Sequence, residues 1–329
     1  MNERIPSSPP LIAPVADTFS RPLWSVMIPV FNNSTFLKET LESVLLQDPG
    51  LEKMQIEVID DASTDVDVEQ LVKEVGKGRV SFFRQQKNLG SLRNFETCIN
   101  RARGHWVHIL HGDDLILKGF YNEIESLFSL YPQAGAAYTG FWNVHENGNI
   151  YSSNEFVLKE PGIINNWLTI ISQSQKVQTP AMVVKRKVYE KLGGFFAVHY
   201  GEDWEMWVRI AAHYPVAHSP KKLAQYRMHD NNITAKYFLS GQNIKDITTV
   251  INYIQNYLPV ELKKKSLIAA RRNWSHYFAR TSDRIYHGYK SPEQAFKQSK
   301  MAFKLHSNSI SLYYLSKTFL KILLRYEKK

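Results

Sequence analysis

The chain has 329 residues, of which 43% are hydrophobic and 22% charged, as is typical of a folded globular protein. This length accommodates one large domain with an appendage, or two modest domains. The single cysteine, Cys98, excludes an intrachain disulfide framework and favours a reducing compartment. No segment carries the roughly 20 apolar residues that a membrane span needs, and prolines interrupt the N-terminus before any apolar run of signal-peptide length. We therefore expect a cytoplasmic protein that is not integral to a membrane.

The formal charge of +10 is concentrated towards the C-terminal end of the chain. Residues 240–329 contain 17 Lys and Arg against 5 Asp and Glu, so the rest of the chain is close to neutral. Such a basic region can bind nucleic acid, an anionic membrane or a phosphorylated acceptor, or it can be a solvated helical face. We expect no nucleic-acid partner, and the sequence leaves the other three interpretations open.

The first half of the chain shows a regular order of elements. Residues 1–22 are rich in proline and serine without periodicity, which predicts a flexible tail. Short apolar runs then alternate with amphipathic stretches. The predicted strands are Ser25–Val30, Ile56–Ile59, Val80–Phe83 and Trp106–Leu110, and the predicted helices are Ser34–Gln47, Val66–Val75 and Ser91–Arg103. This alternation predicts an α/β fold in which helices flank a mixed, mostly parallel sheet.

The second half of the chain is less regular. We predict strands at Ala136–Asn143 and Ala181–Val184 and an amphipathic helix at Asp203–His213. Beyond Tyr237 the pattern becomes helical and basic, and it ends in an apolar helix over Ser311–Leu324. These patterns divide the chain into a tail at 1–22, an α/β domain at 23–236 and a basic helical extension at 237–329.

Unusual polar residues follow the predicted strands, at the edge of the sheet where α/β proteins bind ligands. Pro29, Phe31 and Asn32 belong to the segment that ends the first strand. The Phe31 ring could stack on a flat base, although an ordinary strand-to-helix turn also explains this segment. Asp60 and Asp61 close the second strand. An acid there can accept a hydrogen bond from a uracil imide or a ribose hydroxyl, and two adjacent carboxylates exceed what a helix cap requires.

Two more carboxylate pairs occur at element boundaries. Asp113 and Asp114 follow the fourth strand. Carboxylates repel a phosphorylated ligand unless a divalent cation lies between them, so this pair predicts a Mg²⁺ or Mn²⁺ site, with a helix cap as the alternative. Glu202 and Asp203 begin a helix, whose N-terminus stabilises an anion. Asp203 could therefore be a general base or only a cap.

Together and in this order, these segments resemble glycosyltransferase family 2, an inverting family with the GT-A fold. The matching segments are SVMIPVFNN, EVIDDASTD, NLGSLRNFETCINRARGHWVHILHGDD, YGEDWEMWVRIA and YRMHDNNIT. The resemblance covers roughly residues 23–235 and rests on the order of the five segments, since none of them is decisive alone.

The resemblance implies a nucleotide-sugar donor, with UDP-sugars favoured, and Mn²⁺ or Mg²⁺ as cofactor. The residues with an implied donor-binding role are Pro29, Phe31, Asn32, Asp61, Asn88, Gly90, Arg93, Asp113 and Arg227. Asp114 and His229 are implied as metal ligands. Asp203 is implied as the catalytic base, with Glu202 as an outside candidate.

One residue departs from the family pattern. Many members have an Asp where this chain has His111, so the resemblance leaves the exact ligand set open. His105, His108 and His111 together invite a zinc site. We do not expect one, because strand alternation directs His108 to the opposite face.

The sequence therefore predicts a metal-dependent inverting glycosyltransferase that acts on a glycan or lipid-linked acceptor, in the synthesis of surface polysaccharide. A nucleotidyltransferase is a first alternative, but it would normally carry a glycine-rich, basic phosphate loop, which IPVFNNST lacks. A nucleotide- or glycan-binding protein is a second alternative, and it would not need Asp113, Asp114 and Asp203 together.

The last predicted helix has a hypothesis of its own. Its apolar residues are flanked by Lys304, Lys317, Lys321, Arg325, Lys328 and Lys329. This pattern is typical of an interfacial helix and predicts peripheral contact with the anionic inner face of a membrane. Packing of the helix on the catalytic domain or on a partner subunit is the alternative.

Overall fold

The computed structural model describes residues 4–16, 20–229 and 233–326. These residues form two compact units. The first unit comprises Met1–Trp167, Lys176–Ala197 and Arg209–Met228, and the second comprises Leu168–Gln175, Val198–Val208 and His229–Lys329. The second unit thus takes in two short segments, and the start of a third, that the division based on sequence placed within the α/β domain.

The first unit is built on a large sheet. Its strands are β1 (Trp24–Val30), β2 (Met54–Asp60), β3 (Ser81–Arg84), β4 (Trp106–Ile109), β5 (Leu115–Ile116), β6 (Ala136–His145), β7 (Ile150–Ser153), β8 (Gly162–Ile163), β9 (Met182–Lys185) and β10 (Val216–Met228). The strand order is β3-β2-β1-β4-β9-β6-β10-β5, with β7 beside β6 and β8 beside β10.

The sheet is mixed. The β1–β2, β2–β3, β1–β4 and β6–β10 pairs are parallel and include most of the paired residues, whereas β5, β7, β8 and β9 pair antiparallel. Every residue of β1 and β2 is buried, because a central parallel strand is covered on both faces. β1 is apolar apart from Ser25, whereas β2 also buries Gln55, Glu57 and Asp60. The predicted α/β fold with a mixed, mostly parallel sheet is confirmed.

The helices complete both units. They are α1 (Ser34–Leu45), α2 (Val68–Gly76), α3 (Ser91–Arg101), α4 (Phe120–Leu130), α5 (Trp167–Ile171), α6 (Arg186–Leu192), α7 (Glu202–Ala211), α8 (Ile233–Ser240), α9 (Gln242–Ile254), α10 (Val260–His287), α11 (Pro292–Leu305) and α12 (Ser309–Leu323). Local capping explains some of the starts. The Asp67 side chain accepts from the Gln70 N–H at the start of α2, and Asn308 and Ser311 cap α12 reciprocally.

The second unit is helical and has its own core. Phe238, Ile285, Tyr286 and Ala295 form a buried apolar cluster between α8, α10 and α11. The predicted helical extension is therefore present. In the described part of the chain, no helix combines the length and the apolar character that crossing a bilayer demands.

The described part of the predicted flexible tail lies against the first unit. The Pro6 and Pro10 carbonyl oxygens accept hydrogen bonds of 2.9 Å from the Ala197 and Gly194 N–H groups. Ile12 is buried, at 3% exposure. The expectation of a free tail is wrong for these residues, because a proline-rich segment without periodicity can still dock in an extended conformation and bury apolar side chains.

Candidate functional site

The polar segments that follow β1, β2 and β4 lie side by side at the carboxyl ends of these strands. The parallel ladder sets Val30 opposite Asp60, and the Asp61 N–H donates to the Val30 carbonyl oxygen over 2.8 Å. On the other side of β1, the Gly112 N–H donates to the carbonyl oxygen of the buried Pro29 over 3.3 Å. Because β1 contacts both segments, the sheet itself brings the sequence clusters to one edge.

Asn32 fastens the turn after β1 to the turn after β2. Its N–H donates to the Ser63 hydroxyl oxygen over 2.9 Å, and its side-chain oxygen accepts from the Thr64 N–H over 2.7 Å. Phe31, immediately before it, is 46% exposed. Asn32 therefore shapes the turn, whereas Phe31 presents a ring that a flat ligand could contact.

Asp61 is 2% exposed, and its carboxylate is already bonded. It accepts from Asn88 Nδ2 over 2.9 Å, from the Leu89 N–H over 2.7 Å and from the Gly90 N–H over 2.8 Å. Burial raises the pKa of Asp61, and the two backbone donors oppose that rise. The structure thus brings Asp61, Asn88 and Gly90 together, and it uses the carboxylate to hold the loop that carries the other two.

Two arginines of this region are paired with acids. Arg93, which was predicted to lie near a diphosphate, bonds Glu96 on α3 over 2.6 Å. Arg84 pairs with the fully buried Asp60 and donates to the Ser63 carbonyl oxygen over 2.8 Å. Arg84 could not be identified from the sequence, because a single arginine at the end of a short strand belongs to no motif.

Asp114 is fully buried in the turn after β4. Its Oδ1 accepts from the Arg227 N–H over 2.9 Å. Its Oδ2 has no hydrogen-bond partner among the described residues and lies 3.6 Å from Nδ1 of His111. Burial raises the pKa of Asp114 well above its ordinary value, and Asp113 adds to the rise. A buried carboxylate oxygen of this kind is costly unless a cation contacts it.

His111, Asp113 and Asp114 each offer a ligand atom, and these atoms lie within 4.8 Å of one another. The His111 ring stacks on Phe95, with centroids 5.3 Å apart. Burial lowers the pKa of His111, so its imidazole is neutral near pH 7 and can bind a metal through a lone pair. Two carboxylates and an imidazole suit Mn²⁺, and the carboxylates suit Mg²⁺. These residues fit a divalent cation.

His108 occupies the core of the first unit. Its Nε2 lies 2.9 Å from the Pro180 carbonyl oxygen, and its ring stacks on Phe120 with centroids 4.9 Å apart. Burial lowers the pKa of His108 to about 4. Packing and this backbone contact account for the position of His108 in the core.

Arg227 lies at the end of β10 and is 3% exposed. Its guanidinium donates to the carbonyl oxygens of Asp113 and Glu146 over 3.0 and 2.8 Å, and to a carboxylate oxygen of Glu39 over 2.6 Å. It also lies 4.5 Å above the centre of the Phe36 ring. These contacts hold the turn that carries the carboxylate pair.

Beyond Met228, the YRMHDNNIT segment lies in the second unit or outside the described residues. His229 is 7% exposed and belongs to the second unit. Residues 230–232 lie outside the described part of the chain. The role of His229 as a metal ligand stays a prediction.

Asp203 lies in the first turn of α7 and is 8% exposed. Its Oδ2 accepts from Gln175 Nε2 over 2.5 Å, and its Oδ1 accepts from the Trp204 N–H over 2.7 Å. The Trp204 indole N–H donates to the Ile171 carbonyl oxygen over 2.7 Å, which anchors this turn. The carboxylate is therefore held in one orientation at a helix N-terminus. Gln175 was not identified from the sequence, because no motif marks it.

Glu202 precedes Asp203 in a cluster of acids. Burial raises the pKa of Glu202 well above its ordinary value of 4.5, and the nearby charges of Asp203 and Asp246 add to the rise. The folded protein therefore binds this proton more tightly than the unfolded chain does. As a result, wild-type unfolding free energy should fall as the pH rises above 4.5 through the raised pKa.

Glu202→Gln removes this titration. We expect the Tm of the variant, relative to wild type, to increase by a few degrees between about pH 5 and pH 8, as measured by thermal unfolding in matched buffers. Glu261→Gln, a substitution at an exposed position of α10, is the control. A Tm difference that stays constant with pH would contradict the assigned titration.

The sequence profile named Glycosyl transferase family 2 matches residues 25–193, slightly more than half of the chain. The chain belongs to glycosyltransferase family 2. The matched region contains the segments of Asp61, Asn88 and Asp114, and it ends before Asp203. The resemblance stated from the motifs is therefore confirmed.

Curated relatives of this family 2 glycosyltransferase are distant. An uncharacterized protein of Mycobacterium tuberculosis is 24% identical over 255 residues, covering 71% of this chain and 76% of the relative. An uncharacterized glycosyltransferase of Rickettsia bellii is 23% identical, covering 70% of this chain and 32% of the relative. One of Methanocaldococcus jannaschii is 25% identical, covering 58% of this chain and 66% of the relative. The match thus spans about a third of the rickettsial relative.

Solved structures of similar fold bind nucleotide sugars. S. aureus TarS 1–349 in complex with UDP-GlcNAc matches with a TM-score of 0.63 and 15% identity, covering 93% of each chain. The mannosyltransferase PcManGT of Pyrobaculum calidifontis, in complex with GDP-Man and Mn²⁺, matches with a TM-score of 0.53 and 17% identity, covering 98% of this chain and 92% of that chain. At these identities the likeness establishes the GT-A fold.

Proposed function

We propose that this glycosyltransferase is metal-dependent, that its donor is a nucleotide sugar, with UDP-sugars favoured, and that it transfers the sugar to an acceptor hydroxyl with inversion. The observation that carries the proposal is the group of His111, Asp113 and Asp114, in which a buried carboxylate oxygen lacks a hydrogen-bond partner among the described residues. The complexes of similar proteins with UDP-GlcNAc, and with GDP-Man and Mn²⁺, support it.

The metal would be Mn²⁺ or Mg²⁺, held by Asp114 Oδ2 and by atoms of Asp113 and His111. When bound, such a cation neutralises the negative charge that develops on a departing diphosphate. We propose Arg227 as the residue that positions the carboxylate pair, because its guanidinium bonds the Asp113 carbonyl oxygen and its N–H bonds Asp114. This role replaces the direct diphosphate contact that the resemblance implied.

The proposed reaction is a single displacement at the anomeric carbon. The acceptor hydroxyl gives its proton to the Asp203 carboxylate while its oxygen bonds to that carbon, and the bond from the carbon to the diphosphate oxygen breaks. With one base and no second nucleophile assigned, the new bond forms on the opposite face, and the configuration inverts. The hydrogen bond from Gln175 and the helix N-terminus support Asp203 in this role.

The reaction class is tested by the phosphate species that is released. We expect nucleoside diphosphate from a bound nucleotide sugar in the presence of Mn²⁺ and an acceptor extract, and none in EDTA. A nucleotidyltransferase would instead form or consume pyrophosphate. A binding protein would release neither species. Pyrophosphate chemistry, or no release from a donor that binds, would contradict the proposal.

We also propose that the second unit contacts an anionic membrane that carries a lipid-linked acceptor. The outer face of α12 is apolar and exposed: Leu312, Phe319, Leu320 and Leu323 are all at least half exposed. Lys317 and Lys321 of this helix pair with Asp283, whose negative charge offsets part of the positive charge that they would offer to a membrane. The charge for the membrane comes from other exposed bases, which are Lys297, Lys300, Lys304 and Arg325. Lys328 and Lys329 lie outside the described residues.

Replacing Leu312, Phe319 and Leu323 together by Gln should abolish sedimentation with phosphatidylserine vesicles. The physical reason is the loss of apolar area that enters the interface, while the charge is unchanged. Binding by the wild type should weaken as salt is raised. Leu46→Gln, at an exposed leucine after α1, is the matched control. Unchanged vesicle binding by the triple variant would contradict the membrane proposal.

A further inference from the structure

The N-terminal segment of residues 4–16, called the strap below, is fixed to the first unit along its length. Besides the bonds of Pro6 and Pro10, the Ala13 carbonyl oxygen accepts from the Arg186 guanidinium over 2.9 Å. The Ala13 N–H donates to a side-chain oxygen of Asn100 over 3.3 Å. The strap is therefore a docked part of the first unit.

The docking surface is shaped for the strap. A Cβ atom placed on Gly193 would lie 2.7 Å from Pro9 Cβ and 2.9 Å from the Pro10 carbonyl oxygen. No larger residue fits at Gly193 without moving the strap. The backbone of the strap and that of the Gly193–Gly194 turn thus pack at a distance that only glycine permits.

Arg4, the first residue of the strap, lies beside the loop of Asn88, Leu89 and Gly90, which is bonded to Asp61. The exposed Arg4 side chain donates to the side-chain oxygen of Asn88. Arg4 Nε lies 3.2 Å from where a Cβ of Gly90 would stand. Its positive charge also acts on the Asp61 carboxylate. Arg4 therefore lies over three residues to which the family resemblance assigns donor binding.

We propose that Arg4 is a donor-binding residue, which contacts the nucleobase or ribose through its guanidinium N–H groups. This inference rests on the proposed nucleotide-sugar donor. Asn88 Nδ2 and the Leu89 and Gly90 N–H groups already donate to the Asp61 carboxylate. The exposed Arg4 guanidinium has five N–H donors, and those not bonded to Asn88 can donate to the carbonyl oxygens of a base. The adjacent Asp61 charge disfavours a phosphate at the same place, which favours the nucleoside over the diphosphate.

The test compares Arg4→Ala with wild type by isothermal titration in Mn²⁺, using UDP, GDP and inorganic pyrophosphate as probes. We expect the Kd of the nucleoside diphosphate that binds wild type to rise about tenfold, and the Kd of pyrophosphate to stay unchanged. Arg4→Lys should recover only part of the affinity, because an ammonium lacks the planar fork. The matched control is Arg21→Ala, since Arg21 donates to the carbonyl oxygens of Arg103 and Gly104 before β4.

Four outcomes would overturn the inference. An unchanged Kd means that Arg4 does not contact the donor, and a lower Kd means that the strap obstructs it. An equal loss of affinity for pyrophosphate means that Arg4 binds phosphate. If wild type binds none of the nucleotides, the proposed function itself fails, and the inference fails with it.

Discussion

Replacing Asp114 by Asn should abolish Mn²⁺ binding and reduce transfer by about 10³-fold, which corresponds to several kcal/mol of lost charge stabilisation. The reason is local. Oδ2 of Asp114 is the buried oxygen without a hydrogen-bond partner among the described residues, and an amide in its place is a poor ligand for a hard cation. Mn²⁺ binding is measured by electron paramagnetic resonance or titration calorimetry, and transfer by product formation.

The same substitution should leave the metal-free protein at least as stable as wild type. The Asn oxygen can still accept from the Arg227 N–H, and the cost of a buried carboxylate disappears. Tm in EDTA measures this effect. Asp67→Asn is the matched control, because Asn caps a helix as well as Asp does. Wild-type Mn²⁺ affinity in a folded Asp114→Asn protein would contradict the proposed metal site.

Replacing Asp203 by Asn should lower kcat by about 10²- to 10⁴-fold and leave the donor Kd within about twofold. An amide cannot take the proton of the acceptor hydroxyl. The rest of the turn is retained, since the Trp204 indole N–H still bonds Ile171. Transfer is measured under saturating donor and acceptor, and donor affinity by titration calorimetry.

Glu202→Gln is the matched control for the base assignment. Glu202 is adjacent in sequence and is the outside candidate, so its amide variant should keep kcat within severalfold of wild type. Two results would argue against Asp203 as the base. One is loss of donor binding in a folded Asp203→Asn protein, and the other is a larger loss of kcat from Glu202→Gln.

The α/β fold followed from the sequence because its signals are local. The apolar run of β1 is nearly continuous, β2 carries Ile56, Val58 and Ile59, and the helices that alternate with the strands have clear periodicity. β10 was missed although it is 13 residues long. Pro220, Lys221 and Lys222 interrupt its apolar pattern, and register shifts between Ser219 and Ala224 accommodate them. The strand is formed by pairing with β6, and that pairing cannot be read from its own residues.

The site could be predicted as positions but not as contacts. The sequence placed Asp61 and Asp114 after predicted strands, and they follow β2 and β4, whereas Arg227 lies at the end of β10, a strand that was not predicted. Their hydrogen bonds come from residues far away in the chain, such as Gly90 for Asp61 and Glu39 for Arg227. Such contacts depend on tertiary packing, so periodicity and spacing carry no sign of them.

The docking of the N-terminal strap was unpredictable for a related reason. Proline and serine composition describes how a segment behaves when it is alone. Composition does not indicate that Gly193 leaves room for Pro9, or that the Asn88 side-chain oxygen accepts a hydrogen bond from Arg4. The surface that binds the strap lies far away in the sequence.

The most direct test of metal-dependent donor binding is a thermal-shift screen of the full chain with UDP-, GDP- and dTDP-sugars, each with Mn²⁺ and with EDTA. We expect one nucleotide class, with UDP-sugars favoured, to raise the Tm in Mn²⁺ and to have no effect in EDTA. Stabilisation that is equal in EDTA would contradict metal-dependent donor binding, and no response to any nucleotide from a well-folded sample would contradict the donor proposal as a whole.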